Sequence, residues 1–268
     1  MTEAATVPPA IEVENLFAGY GDRMILKGLN LIVRQGEVMV IMGGSGSGKS
    51  TLLRHLIGLA RPKSGAIRLL GHDITTMTEA ELFDVRKRIG VAFQGGALFN
   101  SMSVGDNVML PLRELTDLDE RTMRIMARLK LEVVNLAGFD RLMPGELSGG
   151  MIKRAALARA IVMDPRLLFC DEPSAGLDPI VASALDDLIL KLRDALRMTI
   201  VVVTHELDSA FKIADRIALL DKGDMVFVGP PDELRAKDDV RIQNFLNRRA
   251  EEVTIDADEY LARLTSEG

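Results

Sequence analysis

The sequence predicts an α/β fold: a parallel sheet with helices on both faces, led by an antiparallel β pair and interrupted by a helical insertion. Three observations carry that expectation. Short apolar runs, too brief for helices, recur at 38–42, 89–93, 166–170, 199–204 and 216–220. Helical patterns such as 50–58 and 179–196 separate them, and strands alternating with helices imply a parallel sheet. Residues 97–160 differ, with six methionines, few β-branched runs and an acidic-then-apolar helix over 119–137.

Taken in order, residues 11–20 begin with apolar and polar side chains alternating, turn at Gly21-Asp22, and continue as an apolar run over 26–33. That is the pattern of an antiparallel pair. The run at 38–42 stops at glycines, and Leu52, Leu53, Leu56 and Ile57 then share one side of a helix. After Gly229-Pro230-Pro231 a charged tail begins, with a helical patch at 240–250 and a last apolar group, EYLARL, at 259–264.

Composition sets the limits. The 268 residues are 47% hydrophobic and 27% charged, an ordinary globular balance with a sizeable core. A net charge of −6 weighs against a nucleic-acid partner, which needs a basic face. One cysteine, Cys170, excludes an internal disulfide and suits a reducing compartment. No basic-then-apolar leader is read at the N-terminus. The apolar runs are far short of the roughly 20 residues that span a bilayer. A membrane role would need another chain to cross.

The segment GGSGSGKST at 43–51 fits G-x-x-x-x-G-K-[ST] and stands between a strand pattern and a helix pattern. Glycines let backbone N–H groups turn inward around phosphate oxygens, and the next helix points its positive end at them. Gly43, Gly44, Ser45, Gly46, Ser47 and Gly48 are therefore the candidate phosphate cradle. Lys49 can reach the β and γ phosphates of a nucleotide, the Ser50 hydroxyl suits Mg²⁺, and Thr51 offers a hydroxyl to the α phosphate.

In RLLFCDEP at 166–173, an apolar strand ends in two carboxylates. Asp171 at the tip can hold Mg²⁺ through water, and Glu172 can face the γ phosphate and polarise an attacking water. A strand that merely ends in a charged turn is the plainer alternative, but pairing with the phosphate loop disfavours it. In LSGGMIKR at 147–154, a Ser-Gly-Gly turn opens an apolar helix, which makes a second anion-binding device from Ser148, Gly149 and Gly150. One nucleotide does not need two. The economical reading is that this turn completes the phosphate site of another copy in a head-to-tail dimer; a simple helix cap is the alternative.

With these segments in this order, followed by SAGLD at 174–178 and VVVTHE at 201–206, residues 10–230 resemble the ABC (ATP-binding cassette) ATPases. The resemblance implies a P-loop NTPase (RecA-like) core with an antiparallel β subdomain and a helical subdomain inserted at about 97–160. It leaves 231–268 as a C-terminal extension, a candidate contact with a second copy or another partner. It further implies ATP and Mg²⁺ as cofactors, a homodimer, and an integral membrane permease. Tyr20 would stack on adenine, Gln94 would link Mg²⁺ and the attacking water to the permease, Asp178 would act across the dimer interface, and His205 would contact the γ phosphate. Met151 stands where most of the family has glutamine.

That methionine, with FQGGALFNSMSVGDNV at 93–108, PLRE at 111–114 and VRIQNFLNRR at 240–249, is similar to the ATPase subunits of Mla-type (maintenance of lipid asymmetry) transporters of the MCE group. The resemblance implies phospholipid transport between bacterial membranes. It also implies a place on the cytoplasmic face of the inner membrane, a small STAS-domain partner and an MCE-domain partner. An importer of amino acids or ions would share every catalytic motif. A P-loop kinase or GTPase would lack the Ser-Gly-Gly helix, and soluble ABC proteins of translation or repair usually fuse two cassettes.

Overall fold

The computed structural model describes residues 7–248. Its first elements are the expected pair, β1 (Ile11–Tyr20) and β2 (Arg23–Val33), antiparallel and joined at Gly21, whose φ of 53° suits a tight turn. β3 (Val38–Gly43) runs into α1 (Lys49–Leu56), after which β4 (Ser64–Leu69) and β5 (His72–Asp73) return to the first sheet. That sheet is ordered β2-β1-β4-β5. α2 (Glu79–Arg86) leads to β6 (Ile89–Ala92), then come α3 (Val104–Leu115), α4 (Glu120–Val133) and α5 (Gly149–Ala160). The chain returns to the core with β7 (Leu167–Asp171), α6 (Pro179–Leu196), β8 (Thr199–Val203), α7 (Leu207–Ile213) and β9 (Arg216–Asp221). β10 (Asp224–Gly229), α8 (Pro231–Ala236) and α9 (Val240–Leu246) complete the described elements.

The main sheet has the order β10-β9-β3-β8-β7-β6, parallel from β9 to β6, with β10 as an antiparallel edge. Alternation along its strands gives it two cores. Val38, Val40 and Met42 of β3 join Ile200 and Val202 of β8 in the core shared with α3 to α6, while Met39 and Ile41 join Val201 and Val203 on the face covered by α1 and the β1-β2 sheet. All nine of these β3 and β8 residues are essentially inaccessible to water. Burial on both faces is why these strands read as unbroken apolar runs. β3 lies between β8 and β9, so the loop after it opens at the carboxyl edge of the sheet, where parallel folds hold ligands.

The helical stretch is shorter in its parts than expected. α4 stops at Val133 rather than 137, because Asn135 takes a left-handed φ of 59° and the Leu136 N–H turns back to the Leu131 carbonyl. α9 ends at Leu246 rather than 250, with Arg248 left-handed at φ 52°. α2 went unread although Thr78 and Glu81 form a capping box, a signal present in the letters. The apolar group at 259–264 lies outside the described residues. Among the described residues, no helix is long and apolar enough to cross a membrane.

Candidate active site

The phosphate loop depends on glycine at two positions in particular, Gly43 and Gly48. At Gly43 (φ 151°) an added Cβ would lie 2.3 Å from the Leu220 carbonyl oxygen and 2.5 Å from Ser47 Oγ. Gly48, at φ 108°, is the N-cap of α1 and offers no side chain to cap it, which leaves the first helical N–H groups for an anion. Lys49 Nζ donates to the loop's own carbonyls, Gly43 O at 2.7 Å and Gly44 O at 3.0 Å. Burial holds this ammonium below the usual lysine range, against the pull of Glu172 and Asp171.

β7 brings Asp171 and Glu172 to the same edge. Burial pushes the Asp171 carboxyl up, and the neighbouring Glu172 charge adds to it; Lys153 and Lys49 oppose both. Glu172 has a left-handed backbone (φ 45°), which costs a non-glycine residue about 1–3 kcal/mol. Its surroundings hold it there. The Glu172 N–H donates to Val203 O at 2.8 Å, and its buried carboxylate accepts from Thr204 Oγ at 3.0 Å and from His205 Nδ1 at 2.8 Å. With a carboxylate as its acceptor the imidazole carries its proton on Nδ1, and Nε2 lies 3.7 Å from the Glu206 carboxylate.

Gly43, Gly44, Ser45, Lys49, Glu172 and His205 line one cleft of about 690 Å³. Gly46 and Ser47 line a smaller hollow beside it. Along α1, Ser50 is exposed and Thr51 buried. Tyr20, 54% exposed, ends β1 outside the cleft lining, and exposed Gln94 follows β6. Ser148 and Gly149 are exposed at the start of α5 and, like Gly150, do not line the cleft. Ser148 Oγ accepts from the Met151 N–H at 3.3 Å, and a Cβ on Gly150 would sit 2.6 Å from Val181. The exposed Asp178 caps α6, taking the Ile180 and Val181 N–H groups. Cys170 is buried, its thiol pushed up to about 12 by desolvation, and is inert packing.

Sequence reasoning missed two contributors. Asn244, Phe245 and Arg248 form a wall of the cleft. The amphipathic pattern of α9 is visible in the letters, but its seat beside the phosphate loop is a long-range contact with no local sign. Lys153 reaches the carbonyls of Gln94 and Glu172, and in a helix that also carries Arg154 and Arg159 nothing in the letters singles it out.

The oxygen donors Ser50 and Asp171 are of the kind a hard divalent cation takes. The pairing of Asp171 with Glu172, which raises Asp171, is a strain that such a cation relieves. The residues fit Mg²⁺.

A parallel strand that feeds a glycine cradle and a bare helix N-terminus makes this a P-loop nucleotide-binding protein. The ABC transporter family matches residues 26–175, and the chain belongs to that family. It is similar to the intermembrane phospholipid transport system ATP-binding protein MlaF of Haemophilus influenzae, 45% identical over 88% of this chain and 89% of the relative. MlaF of Escherichia coli K12 is 42% identical over 90% of each chain. The probable ribonucleotide transport ATP-binding protein mkl of Mycobacterium leprae is also 42% identical, over 90% of this chain and 69% of its own length. Among solved structures, cbiO1 from Clostridium perfringens, part of the ABC transporter complex cbiONQ, superposes with a TM-score of 0.80 at 31% identity, covering 90% of this chain and 96% of that one. A dimeric ATP-binding cassette bound to ADP and Pi gives 0.75 at 31% identity over 82% and 98%. The chain is an ATP-binding ATPase coupled to transport.

Proposed function

We propose that the chain powers phospholipid transport between bacterial membranes, as one half of a homodimer attached to an integral membrane permease at the cytoplasmic face of the inner membrane. The observation that carries the catalytic part is the Glu172 carboxylate, fixed by Thr204 and His205 in the cleft it shares with Lys49. A carboxylate so held can take a proton from water attacking the γ phosphate. Lys49 leaves the Gly43 and Gly44 carbonyls for the β and γ phosphates, and the free N–H groups of the loop and α1 take their oxygens. Ser50, Asp171 and Gln94 would hold Mg²⁺, which spreads charge off the transferring phosphoryl group. Tyr20 stacks on adenine. Ser148, Gly149, Gly150 and Asp178 act on the partner's nucleotide, a role supported by the exposure of Ser148, Gly149 and Asp178.

A permease partner is supported by the hollow between β6 and α3, lined by Phe93, Phe99, Leu110 and Pro111, with Phe83, Phe93 and Phe99 all substantially exposed. The phospholipid reading rests on the MlaF relatives, which match nearly end to end at up to 45% identity. The mycobacterial relative's ribonucleotide name is the weaker guide, because that protein extends well beyond the match. A STAS-domain protein and an MCE-domain protein complete the assembly. The C-terminal extension, 231–268, contacts the second copy or another subunit.

The test is to purify the tagged full chain from membranes and identify the chains and lipids that accompany it. An MCE-domain protein with bound phospholipid is expected. A solute-binding protein for amino acids or ions in its place overturns the lipid assignment.

A further inference from the structure

α5 begins at the Ser148 cap and reaches, just over one turn later, the tips of two strands of the ATP-cleaving core. Lys153 Nζ donates to the Gln94 carbonyl and, at 3.1 Å, to the Glu172 carbonyl. Farther along the helix, Arg159 donates to the carbonyls of Ala97 (2.7 Å) and Gly96 (2.8 Å). Gly96 lies so close to α5 that a Cβ there would meet Ile152 at 2.7 Å. The loop after β6 is thus clamped to α5 by two cations and direct packing.

Glu172 has few other constraints on its carbonyl. Its N–H is tied to Val203 and its carboxylate to Thr204 and His205, but among the described residues the carbonyl otherwise receives only a 3.3 Å bond from the Ala175 N–H. A left-handed glutamate relaxes toward ordinary backbone angles unless its peptide is held. Such relaxation would swing the carboxylate, and misplacing a reacting group by about 1 Å can cost on the order of 100-fold in rate.

We infer that Lys153 is a positioning residue for ATP cleavage: from the helix that carries the Ser148 turn, it fixes the peptides of Glu172 and Gln94 and so aligns the Glu172 carboxylate. The inference rests on the proposed role of Glu172. It also gives α5 a mechanical function, because any shift of the Ser-Gly-Gly turn is passed through one side chain to the base.

The test compares Lys153→Met, Lys153→Gln and Lys153→Arg in the full chain, reading kcat and KM for ATP, equilibrium ATP affinity and melting temperature. Lys153→Met should lower kcat about 10- to 100-fold, the size expected for losing a hydrogen bond from a charged donor, with ATP affinity changed by less than about threefold. Lys153→Arg should recover much of the rate and Lys153→Gln should fall between. Unchanged kcat in Lys153→Met overturns the inference. So does a parallel loss of ATP affinity and melting temperature that Lys153→Arg fails to repair, since that marks general damage. Glu172→Gln is the control. Turnover retained in Glu172→Gln sinks the reading of Glu172 itself, whereas an inactive Glu172→Gln beside a normal Lys153→Met sinks only the inference about Lys153.

Discussion

The Glu172 carboxylate and the His205 imidazole meet at 2.8 Å although 33 residues separate them in the chain. One side chain is 11% exposed and the other 57%, so the pair runs from the interior of the sheet to the open cleft. Thr204, fully buried, donates to the second carboxylate oxygen, so both oxygens are engaged.

Glu172→Gln keeps the shape of that arrangement and removes the base. ATP should still bind, while turnover should fall roughly 10²- to 10⁴-fold. Lys49→Ala should differ in kind, losing affinity together with turnover, since its ammonium faces the phosphates directly. Equilibrium nucleotide binding beside steady-state hydrolysis distinguishes the two. A Glu172→Gln chain that cannot bind ATP would make Glu172 structural.

The core of this site was legible because its chemistry sits in contiguous letters. GGSGSGKST and LLFCDEP each end a buried strand, and a strand buried on both faces has an unmistakable apolar run. His205 stood out through the family resemblance, since a lone histidine after a strand is by itself more often structural. The wall from Asn244 and Phe245 was not legible, because it depends on how a distant helix packs and not on its own pattern. Lys153 was hidden for a related reason: its partners are main-chain carbonyls, and a carbonyl has no letter. The end of α4 turned on one left-handed asparagine, Asn135, that apolar periodicity alone runs past.

Ser148 caps α5 and is also the proposed contact with a partner's nucleotide, so a substitution must separate the two roles. Aspartate caps a helix about as well as serine. Ser148→Asp should therefore leave folding and monomer ATP binding nearly intact and suppress hydrolysis, because its charge faces a phosphate. Ser148→Arg should suppress it by bulk. Wild-type specific activity should rise with protein concentration, and activity independent of both concentration and Ser148 would mean that each copy works alone.

Asp186 on α6 is buried against α7, where it accepts from the Ser209 hydroxyl. Burial pushes its carboxyl up, with Ser209 and then Lys212 opposing and Asp187 adding a little. The unfolded chain therefore loses this proton at lower pH than the folded one. Stability falls as pH rises through the window between the two values, and the loss is complete above the folded one. Asp186→Asn keeps an acceptor for Ser209 and cannot ionise. Urea melts should show it more stable than the parent at neutral pH and converging with it in mild acid. A destabilised Asp186→Asn at neutral pH would mean the carboxylate contributes more through Ser209 and Lys212 than burial takes away.

α9 gives the last expectation, because its packing and its place beside the phosphates can be separated. Asp239 caps the helix through the Arg241 and Ile242 N–H groups, Ile242 is fully buried, and Phe245 and Leu246 pack on the same core. Trimming a buried isoleucine to alanine costs about 2–5 kcal/mol in a rigid interior. A short helix at the edge of a fold can detach alone, so Ile242→Ala should cost less in global stability and show instead as local opening. Limited proteolysis should then cut near 237–240 well before the core unfolds. Asn244 and Phe245 lose their place in the cleft wall at the same time, so ATP affinity should weaken several-fold while the melting temperature of the core changes little. Early proteolysis with unaltered ATP affinity would show that α9 borders the cleft without touching what binds there.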